Sequence, residues 1–453
     1  MGDKPFWLAQ DGIASVCGGG VSGVFCEVSL RALCVPTRGT IPANGFPASY
    51  SRIVVSARRS HLSFSVFYVG HSNTLKILHV CDYIDPSLGG GTAERTYQLA
   101  KALRRASVDC SILCTDHGLG QKRRSELQDV ELVAVPTLFR RFLVPNISFS
   151  RLASLVRQAD LIHVTGHWSV LGAMTCLMAK RLRRPYVYCP AGSLRIFGRS
   201  SILKRIYNEI CGKWIVLNAN QCLAITELER VQFHEYGVPD SRIFLLPNGV
   251  HPPDNASPND PVRFRKKYTL GTNEPFLLFL GRLSPIKGPD LLLSAFKEVS
   301  FQYPLVHLVF AGPDAESSVS LHQQVTGLKL EHRVHFIGFL SGQDKQDALS
   351  AASLLVVPSR REAMSLVALE AGLCGTPVLL TNECGFDAVQ TADGGRVVPV
   401  DIESLAQAMI LLLQDPVELR HKGQRLQNLI RTHYTWDSLT LRTLVLYRTL
   451  ISQ

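Results

Sequence analysis

Two glutamates, Glu362 and Glu370, stand eight positions apart in the segment EAMSLVALE, which follows the apolar run LLVVPS. Eight helical steps span about 12 Å, roughly the distance between a ribose and a sugar that is joined to it through a diphosphate. If a helix starts here, the backbone amides of Met364, Ser365 and Leu366 lack helical partners and can receive phosphate or sugar oxygens. On spacing alone, a solvated helix that carries two glutamates by chance explains the segment at least as well.

Two basic residues, Arg282 and Lys287, lie five positions apart in the segment GRLSPIKG, directly after the apolar run PFLLFLG. Both side chains can reach one diphosphate from a single loop. In a cleft that excludes water, they would stabilise the negative charge that grows on a departing phosphate. Pro289 suits the first turn of a helix after this loop. Without further context, the same pair is ordinary surface charge.

A run of three glycines, Gly89, Gly90 and Gly91, follows the first regular apolar run of the chain, KILHVC. A loop without Cβ atoms lets the backbone approach a phosphate or a sugar closely. The next residues, Thr92 and Ala93, do not complete the G-x-G-x-x-G pattern of dinucleotide-binding proteins. The run is therefore either part of a ligand site or a simple turn.

These candidate residues stand at the ends of apolar runs that alternate with helical patterns from residue 76 onwards. Short, almost continuously apolar runs predict parallel strands that are buried on both faces. They fall at 76–81, 108–115, 130–135, 160–165, 185–189, 221–226, 275–281, 305–312, 334–339, 354–359 and 376–381. The predicted fold class is α/β, with two Rossmann-like, doubly wound domains that face a central cleft. Ligands of such domains bind beyond the carboxyl ends of the strands.

The domain boundaries follow from breaks in this alternation, since 453 residues exceed one ordinary domain. Residues 1–75 show no sustained period, and we interpret them as either a disordered extension or a mis-assigned start of the reading frame. Residues 76–250 are the predicted first domain and residues 251–435 the second, joined at a turn-rich stretch. Residues 436–453 are predicted to form a helix that packs back on the first domain.

The segment PSRREAMSLVALEAGLCGTPVLLT resembles the signature of retaining glycosyltransferase family 4, a Glu, seven residues and a second Glu before Ala-x-x-x-Gly-x-Pro-Val. The resemblance implies the GT-B fold, with Glu370 on the donor ribose and Glu362 on the transferred sugar. The loop of Arg282 and Lys287 is similar to the family's donor-phosphate loop. The family usually has Gly-Phe/Met-Gly after the first Glu, and the replacement by Ala-Met-Ser at 363–365 leaves the identity of the sugar open.

Two further segments of the first domain support the resemblance. Gly90 and Gly91 are similar to the family's glycine loop, which lies near the donor phosphates and the acceptor. Thr165 stands where polysaccharide-assembling members often carry a histidine near the transferred sugar, in the pattern His-x-His-Gly-x-Trp-Ser. Two residues further on, His167 either takes over that contact or packs in the interior.

The positive charge of the chain is concentrated in the first domain. The net charge is +11, of which residues 76–250 carry +9, whereas residues 251–453 carry −1. Such a field favours an anionic partner, namely a phospholipid surface or a lipid diphosphate, although a merely solvated basic face would carry the same charge. Nucleic acid is not expected as a partner, because no aromatic-studded binding motif accompanies the charge.

The cysteines and the acidic motifs indicate whether a metal is expected and in which cellular compartment the protein resides. Twelve cysteines are scattered without a CxxC pair or a zinc-like grouping with histidine, and Cys110 and Cys114 fall in one predicted strand. We expect buried free thiols in a reducing compartment, either in the cytoplasm or at the inner face of the plasma membrane. The chain has no Asp-x-Asp, and the family resemblance implies catalysis without a metal, so no metal and no cofactor are expected.

The function predicted from these features is that of a retaining, metal-independent hexosyltransferase. It would move a sugar from a nucleotide-diphosphate donor to a glycan or lipid-diphosphate-linked acceptor, in cell-surface polysaccharide synthesis. The alternative is a catalytically silent GT-B-like protein that binds sugar nucleotides, because Thr165 and residues 363–365 depart from the family pattern. A nicotinamide oxidoreductase would need the missing glycine fingerprint, and a phosphorylase of the same fold would need a lysine context for its cofactor that the chain lacks.

Overall fold

The computed structural model describes residues 53–58, 61–68, 74–196, 200–252, 259–271 and 274–453. Among the residues before 74, β1 (Ile53–Arg58) and β2 (His61–Tyr68) are described, and they pair antiparallel. This hairpin was not predicted, although HLSFSVFY alternates serine with apolar residues at the period of a strand. The other residues of the extension predicted at 1–75, apart from 74 and 75, lie outside the described part of the chain.

The first Rossmann-like domain is built on a parallel sheet. The strands of this domain are β3 (Lys76–Val80), β4 (Asp109–Thr115), β5 (Glu131–Val135), β6 (Thr137–Phe139), β7 (Val144–Pro145), β8 (Leu161–Thr165), β9 (Tyr186–Cys189), β10 (Gln221–Ala224) and β11 (Ile243–Leu245). β6 and β7 pair with each other as a separate antiparallel ribbon. The other seven strands form one parallel sheet in the order β11-β10-β9-β8-β3-β4-β5.

Helices connect these strands and cover the sheet. They are α1 (Pro86–Arg105), α2 (Gln121–Glu126), α3 (Phe149–Gln158), α4 (Val170–Arg181), α5 (Ser201–Tyr207), α6 (Lys213–Asn218) and α7 (Glu227–Glu235). A π-helical turn, Asn208–Gly212, joins α5 to α6 without a break. Several helices begin where a hydroxyl caps them: Ser148, Ser169 and Thr226 each accept a hydrogen bond from an amide of the first turn.

The second domain repeats this plan with a six-stranded parallel sheet. Its strands are β12 (Phe276–Leu280), β13 (His307–Ala311), β14 (Val334–Gly338), β15 (Leu354–Val357), β16 (Val378–Thr381) and β17 (Gly395–Val398), in the order β14-β13-β12-β15-β16-β17. Its helices are α8 (Pro261–Lys267), α9 (Pro289–Gln302), α10 (Ser318–Leu328), α11 (Gly342–Ala351), α12 (Leu366–Leu373), α13 (Ala388–Thr391), α14 (Ile402–Leu413) and α15 (Pro416–His433). The predicted α/β class with two doubly wound domains is confirmed.

The chain passes between the two domains twice, and the two passages lie side by side. The amide of Val250 donates to the carbonyl of Tyr434 over 2.9 Å, and the amide of Trp436 donates to the carbonyl of Val250 over 3.1 Å. The last helix, α16 (Trp436–Ile451), then packs against α1 of the first domain. Arg442 of α16 also donates to the carbonyl of Leu245. We refer to these paired passages, residues 246–250 and 434–436, as the hinge.

Both sheets reverse their strand order at one point, and these points locate the cleft. In the first sheet, β8 returns to the side of β3 opposite β4; in the second, β15 returns to the side of β12 opposite β13. Connections that diverge at such a point leave a crevice at the carboxyl ends of the two strands, where ligands of this architecture bind. Among the described helices, none is long and apolar enough to cross a bilayer.

Candidate functional site

A cavity of about 450 Å³ lies between the two domains at the switch point of the second sheet. The first domain contributes Gly91, Thr92, Ala191 and Ile225, and the hinge contributes Asn248. Most of the predicted site residues line it: Gly91, Arg282, Lys287, Glu362, Met364, Leu366 and Glu370. Gly90, Ser365, Thr165 and His167 are not among its lining residues. The cavity therefore brings together the loops after β12 and β15 and the start of α12.

Lys287 and Glu362 form an ion pair across the switch point. Lys287 Nζ lies 2.6 Å from Glu362 Oε1, and the hydroxyl of Ser359 donates to the other carboxylate oxygen over 3.2 Å. Gly288 lets the Lys287 loop press against the end of β15: its φ is +67°, and a Cβ there would lie 2.1 Å from the carbonyl oxygen of Pro358. The pair is thus held by backbone packing as well as by charge.

Arg282 lies on the same loop as Lys287 and is exposed at the cavity. Arg361, which the sequence analysis did not single out, lines the cavity as a third basic residue. Nearby, Arg360 braces the loop from outside, with its amide on the carbonyl of Ile286 and its guanidinium on Asp290. Three basic and two acidic residues therefore line one space, which is an arrangement that suits a bound diphosphate.

Glu370 is also paired, but with a residue that no motif indicated. Lys345 Nζ of α11 lies 2.7 Å from Glu370 Oε1 of α12, with both side chains about one third exposed. The interval from Glu362 to Glu370 is not eight helical steps as the sequence analysis assumed, because α12 begins only at Leu366. Ser365 caps that helix by accepting from the amide of Ala368. Its role in the described structure is to start the helix.

The loop between Glu362 and α12 is fixed on both sides. The amide of Glu362 donates to the carbonyl of Glu383, and the amide of Ser365 donates to the carbonyl of Cys384. On the first-domain side, the amide of Asn248 lies 3.3 Å from the sulfur of Met364. Met364, which matches the middle position of the family pattern, therefore contacts the hinge from the second domain.

Gly192 and Ala363 bring the two domains into direct contact at the edge of the cavity. Gly192 has φ +84°, and a Cβ on it would lie 2.1 Å from the Cβ of Ala363. Both the backbone conformation and the available space therefore require glycine at position 192. Any larger side chain there must push the two domains apart.

The three glycines after β3 lie inside a helix and do not form the predicted loop. α1 begins at Pro86, where Asp85 caps it by accepting from the amide of Ser87 over 3.0 Å. The helix is interrupted at Gly90, whose φ of +54° and ψ of −140° are open to glycine but strained for other residues. Gly91 faces the second domain, since a Cβ on it would lie 3.8 Å from Leu366. Gly91, but not Gly90, lines the cavity.

Thr165 and His167 are buried beneath the first-domain edge of the cleft. Both nitrogens of His167 are engaged, Nδ1 with the hydroxyl of Tyr188 at 2.7 Å and Nε2 with Asn208 Oδ1 at 2.8 Å. Burial lowers the pKa of His167 to about 4. Of the two roles left open for His167, the geometry matches the packing role, because neither ring nitrogen remains for a sugar.

A buried arginine of the first domain holds the hinge. Arg95 of α1 donates to the carbonyls of Leu246 and Pro247 and to the side chain of Asn248, over 2.7–3.0 Å. Both terminal nitrogens of the guanidinium are satisfied in this way, whereas Arg95 Nε has no hydrogen-bond partner among the described residues. α1, the helix that contains the glycine run, is thereby tied to the segment that crosses between the domains.

Two family models match the two domains of this chain. The model described as glycosyl transferases group 1 matches residues 262–425, and the one described as glycosyl transferase 4-like domain matches residues 90–249. The chain belongs to the glycosyltransferase 4-like, group 1 family, whose fold is GT-B.

Relatives and solved structures agree with this assignment. The D-inositol 3-phosphate glycosyltransferase of Kineococcus radiotolerans is 28% identical over 316 residues, which are 64% of this chain and 72% of that protein. A GDP-mannose-dependent monoacylated alpha-(1-6)-phosphatidylinositol monomannoside mannosyltransferase of Corynebacterium glutamicum is 30% identical over 202 residues, and the match spans 42% of this chain but only 52% of that protein. The structure of Anabaena HepE in complex with UDP and glucose superposes with a TM-score of 0.64, covering 83% of this chain and 100% of HepE at 21% identity. It shares the fold.

Proposed function

We propose that this protein transfers a sugar from a nucleotide-diphosphate sugar, bound in the cavity between its domains, to an acceptor presented by the first domain. One observation carries the proposal: Arg282, Lys287, Glu362 and Glu370 all line the cavity at the switch point of the second sheet. Two positive and two negative side chains at this edge match the diphosphate, the ribose and the transferred sugar of such a donor.

The donor is held mainly by the second domain. Arg282 and Lys287 bind the diphosphate, and the amides of Leu366 and Val367 at the start of α12 add donors that carry the positive end of the helix dipole. Glu370 accepts from the ribose hydroxyls and Glu362 from hydroxyls of the transferred sugar. Lys287 has three N–H donors, so it can keep its bond to Glu362 while it binds a phosphate oxygen.

Transfer occurs with retention of the anomeric configuration. The bond between the anomeric carbon and the diphosphate oxygen breaks, and the acceptor oxygen bonds to the same face of that carbon. The acceptor hydroxyl gives its proton to an oxygen of the departing diphosphate. Arg282 and Lys287 stabilise the charge on that diphosphate, as preorganised positive groups do in a cleft that excludes water. The protein works by positioning and electrostatics, without a required metal.

The acceptor carries phosphate and is joined to a lipid or a glycan. The matched relatives from Kineococcus and Corynebacterium are named for phosphorylated inositol acceptors, the latter in a phosphatidylinositol. The net +9 of residues 76–250 suits an anionic acceptor at the inner face of the cytoplasmic membrane. A role in making cell-surface glycolipids or polysaccharides follows from such an acceptor.

A panel of nucleotide-sugars tests the proposal through the melting temperature of the protein. Bound donor stabilises the fold by mass action, by about 2.7 kcal/mol at a hundredfold excess over Kd. We expect one nucleotide-sugar to raise the melting temperature clearly more than its free sugar, and to be consumed when a phosphoinositol or lipid-phosphate acceptor is added. If none of the nucleotide-sugars shifts the melting temperature, the protein has no donor site for them and the proposal fails. A shift without transfer or hydrolysis would identify a silent sugar-nucleotide binder.

A further inference from the structure

The continuous helical segment 201–218, made of α5, the π-helical turn and α6, exposes an unusually apolar face. Helices on a water-facing surface normally turn polar side chains outward. Here six large apolar side chains are exposed instead, and Ile210 is 76% exposed. They are Ile202, Leu203, Ile206, Ile210, Trp214 and Leu217. Four of them follow one another at intervals of four residues, so this face is a continuous strip along the segment.

The opposite face of segment 201–218 is firmly anchored, so the apolar exposure is not that of a loose helix. Ile215 and Val216 are buried in the core of the first domain. In the π-helical turn, Asn208 bonds to His167 and donates to the hydroxyl of Tyr236 over 2.5 Å. Tyr207 donates to the carbonyl of Ser169 over 3.0 Å. These contacts hold the segment at the carboxyl end of β8, the edge of the sheet that faces the cleft.

Basic residues accompany the apolar strip. Segment 201–218 contains Lys204, Arg205 and Lys213 but one acid, Glu209, which pairs with Lys213 at 2.6 Å. The tip between β6 and β7 has the same composition, because the sequence FRRF at 139–142 is exposed throughout. α4 packs against both α6 and β7, so the two features are connected through one helix of the first domain. Apolar and aromatic side chains beside arginine and lysine are the composition of a helix that lies in a membrane interface.

We propose that segment 201–218 lies in the plane of an anionic phospholipid bilayer, with its apolar strip at the level of the headgroups. Arg205 and Lys213 then face lipid phosphates. Charge favours this partner over a second copy of the chain, because the domain that carries the strip has a net +9 and would repel itself. The role of the contact rests on the proposed function: it places the mouth of the cleft at the surface where a lipid-linked acceptor resides.

Sedimentation with vesicles tests this contact in the full chain. Phosphatidylcholine vesicles with and without phosphatidylglycerol are mixed with the protein, in the absence of any nucleotide-sugar. Two double variants remove the strip, Ile206→Ser with Ile210→Ser and Ile206→Glu with Ile210→Glu. Phe301→Glu is the control, since Phe301 is 82% exposed on α9 of the second domain.

We expect the wild-type protein and Phe301→Glu to sediment with the anionic vesicles, less so at high salt, and weakly with neutral ones. Both double variants should bind the anionic vesicles at least about tenfold more weakly, the loss expected for withdrawing two apolar side chains from the interface. Unchanged melting temperatures and unchanged donor-induced shifts would show that the variants fold and that the donor site is intact, separately from the vesicle result.

Vesicle binding by both double variants at the wild-type level would overturn the proposal. So would a wild-type protein that binds neither kind of vesicle. If light scattering shows that the wild-type protein self-associates and the double variants do not, while no vesicle binds, the strip is a contact between copies of the chain and not a membrane surface.

Discussion

Lys287 Nζ lies 2.6 Å from Glu362 Oε1, and this ion pair joins the loops that leave the two central strands of the second sheet. The two residues are 75 positions apart in sequence. β12 and β15 are neighbours, so their carboxyl ends deliver a cation and an anion to the same point. A donor bound there meets both charges at fixed positions.

Glu362→Gln keeps the size of the side chain and removes its charge, leaving Lys287 without its carboxylate partner. We expect the transfer rate to fall by about a hundredfold, the typical loss when one preorganised electrostatic group is removed from an active site. Glu298→Gln, an exposed glutamate of α9, is the matched control and should transfer at the wild-type rate. Equal rates in the two variants would remove Glu362 from the site.

Lys345→Ala leaves the carboxylate of Glu370 without its partner at 2.7 Å. If Glu370 holds the donor ribose, a less well oriented carboxylate should weaken donor binding by about tenfold, as expected for one hydrogen bond to a charged group. The turnover rate at saturating donor should change little, because a carboxylate that holds the ribose does not touch the transferred sugar. Calorimetric titration with donor measures the first effect. A fall in turnover without a change in Kd would argue against this role.

Gly192→Ala should disturb the contact between the domains, because the new Cβ would lie 2.1 Å from the Cβ of Ala363. We expect lower transfer activity and a loss of stability of about 1–3 kcal/mol, from the clash and from φ +84°. Adding Ala363→Gly removes the opposing methyl group and should restore part of the activity, although the strain at position 192 remains. Without any recovery in the double variant, the contact does not explain the defect.

His79 is buried between strands of the first domain, and neither ring nitrogen has a hydrogen-bond partner among the described residues. Burial lowers its pKa from 6.5 to about 3. The unfolded chain therefore binds a proton at this histidine that the folded chain does not bind. As a result, the free energy of unfolding decreases as the pH falls below about 6.5. In His79→Leu, the loss of unfolding free energy between pH 7 and pH 5 should be smaller by about 2 kcal/mol.

The control for His79 is His433→Leu, which changes an exposed histidine at the end of α15. Urea unfolding at the two pH values gives the comparison. The same pH dependence in wild type and His79→Leu would mean that His79 is protonated in the fold or solvated by water. His163, on the neighbouring strand, bonds to Tyr447 of α16 and is present in the wild type and in both variants, so it does not affect the comparison.

Strands with long apolar runs were predictable, and short ones were not. The runs at 76–81 and 275–281 each became a central strand of a sheet. β11 and β17 were missed: β11 has only three residues, and β17 (GRVV) includes a glycine and an arginine, so neither stands out as a long apolar run. The interruption of α1 at Gly90 was also not predicted, since a glycine run favours a loop by local preference and tertiary contacts decided otherwise.

The candidate site was predictable where a local motif carries it. Arg282, Lys287, Glu362 and Glu370 stand in two short segments, and the structure places all four at one cavity. Lys345 had no local signal, because it meets Glu370 only through the packing of α11 on α12.

His167 is the opposite case, in which a sequence motif suggested a contact at the cleft but the side chain packs in the interior. Its position in sequence pointed to the cleft, but Tyr188 and Asn208, which occupy its two nitrogens, come from segments 21 and 41 residues away. Contacts of that kind depend on the fold and leave no periodic pattern in the sequence.

The measurement that tests the central claim most directly is calorimetric titration of the nucleotide-sugar that stabilises the wild-type protein most. We expect one molecule to bind per chain, and the double variant Arg282→Ala, Lys287→Ala to bind at least about a hundredfold more weakly, since each charged contact to the diphosphate is worth about 1.5–3 kcal/mol. Lys297→Ala, an exposed lysine of α9, should bind like the wild type. Wild-type affinity in the double variant would contradict a diphosphate site at the loop after β12.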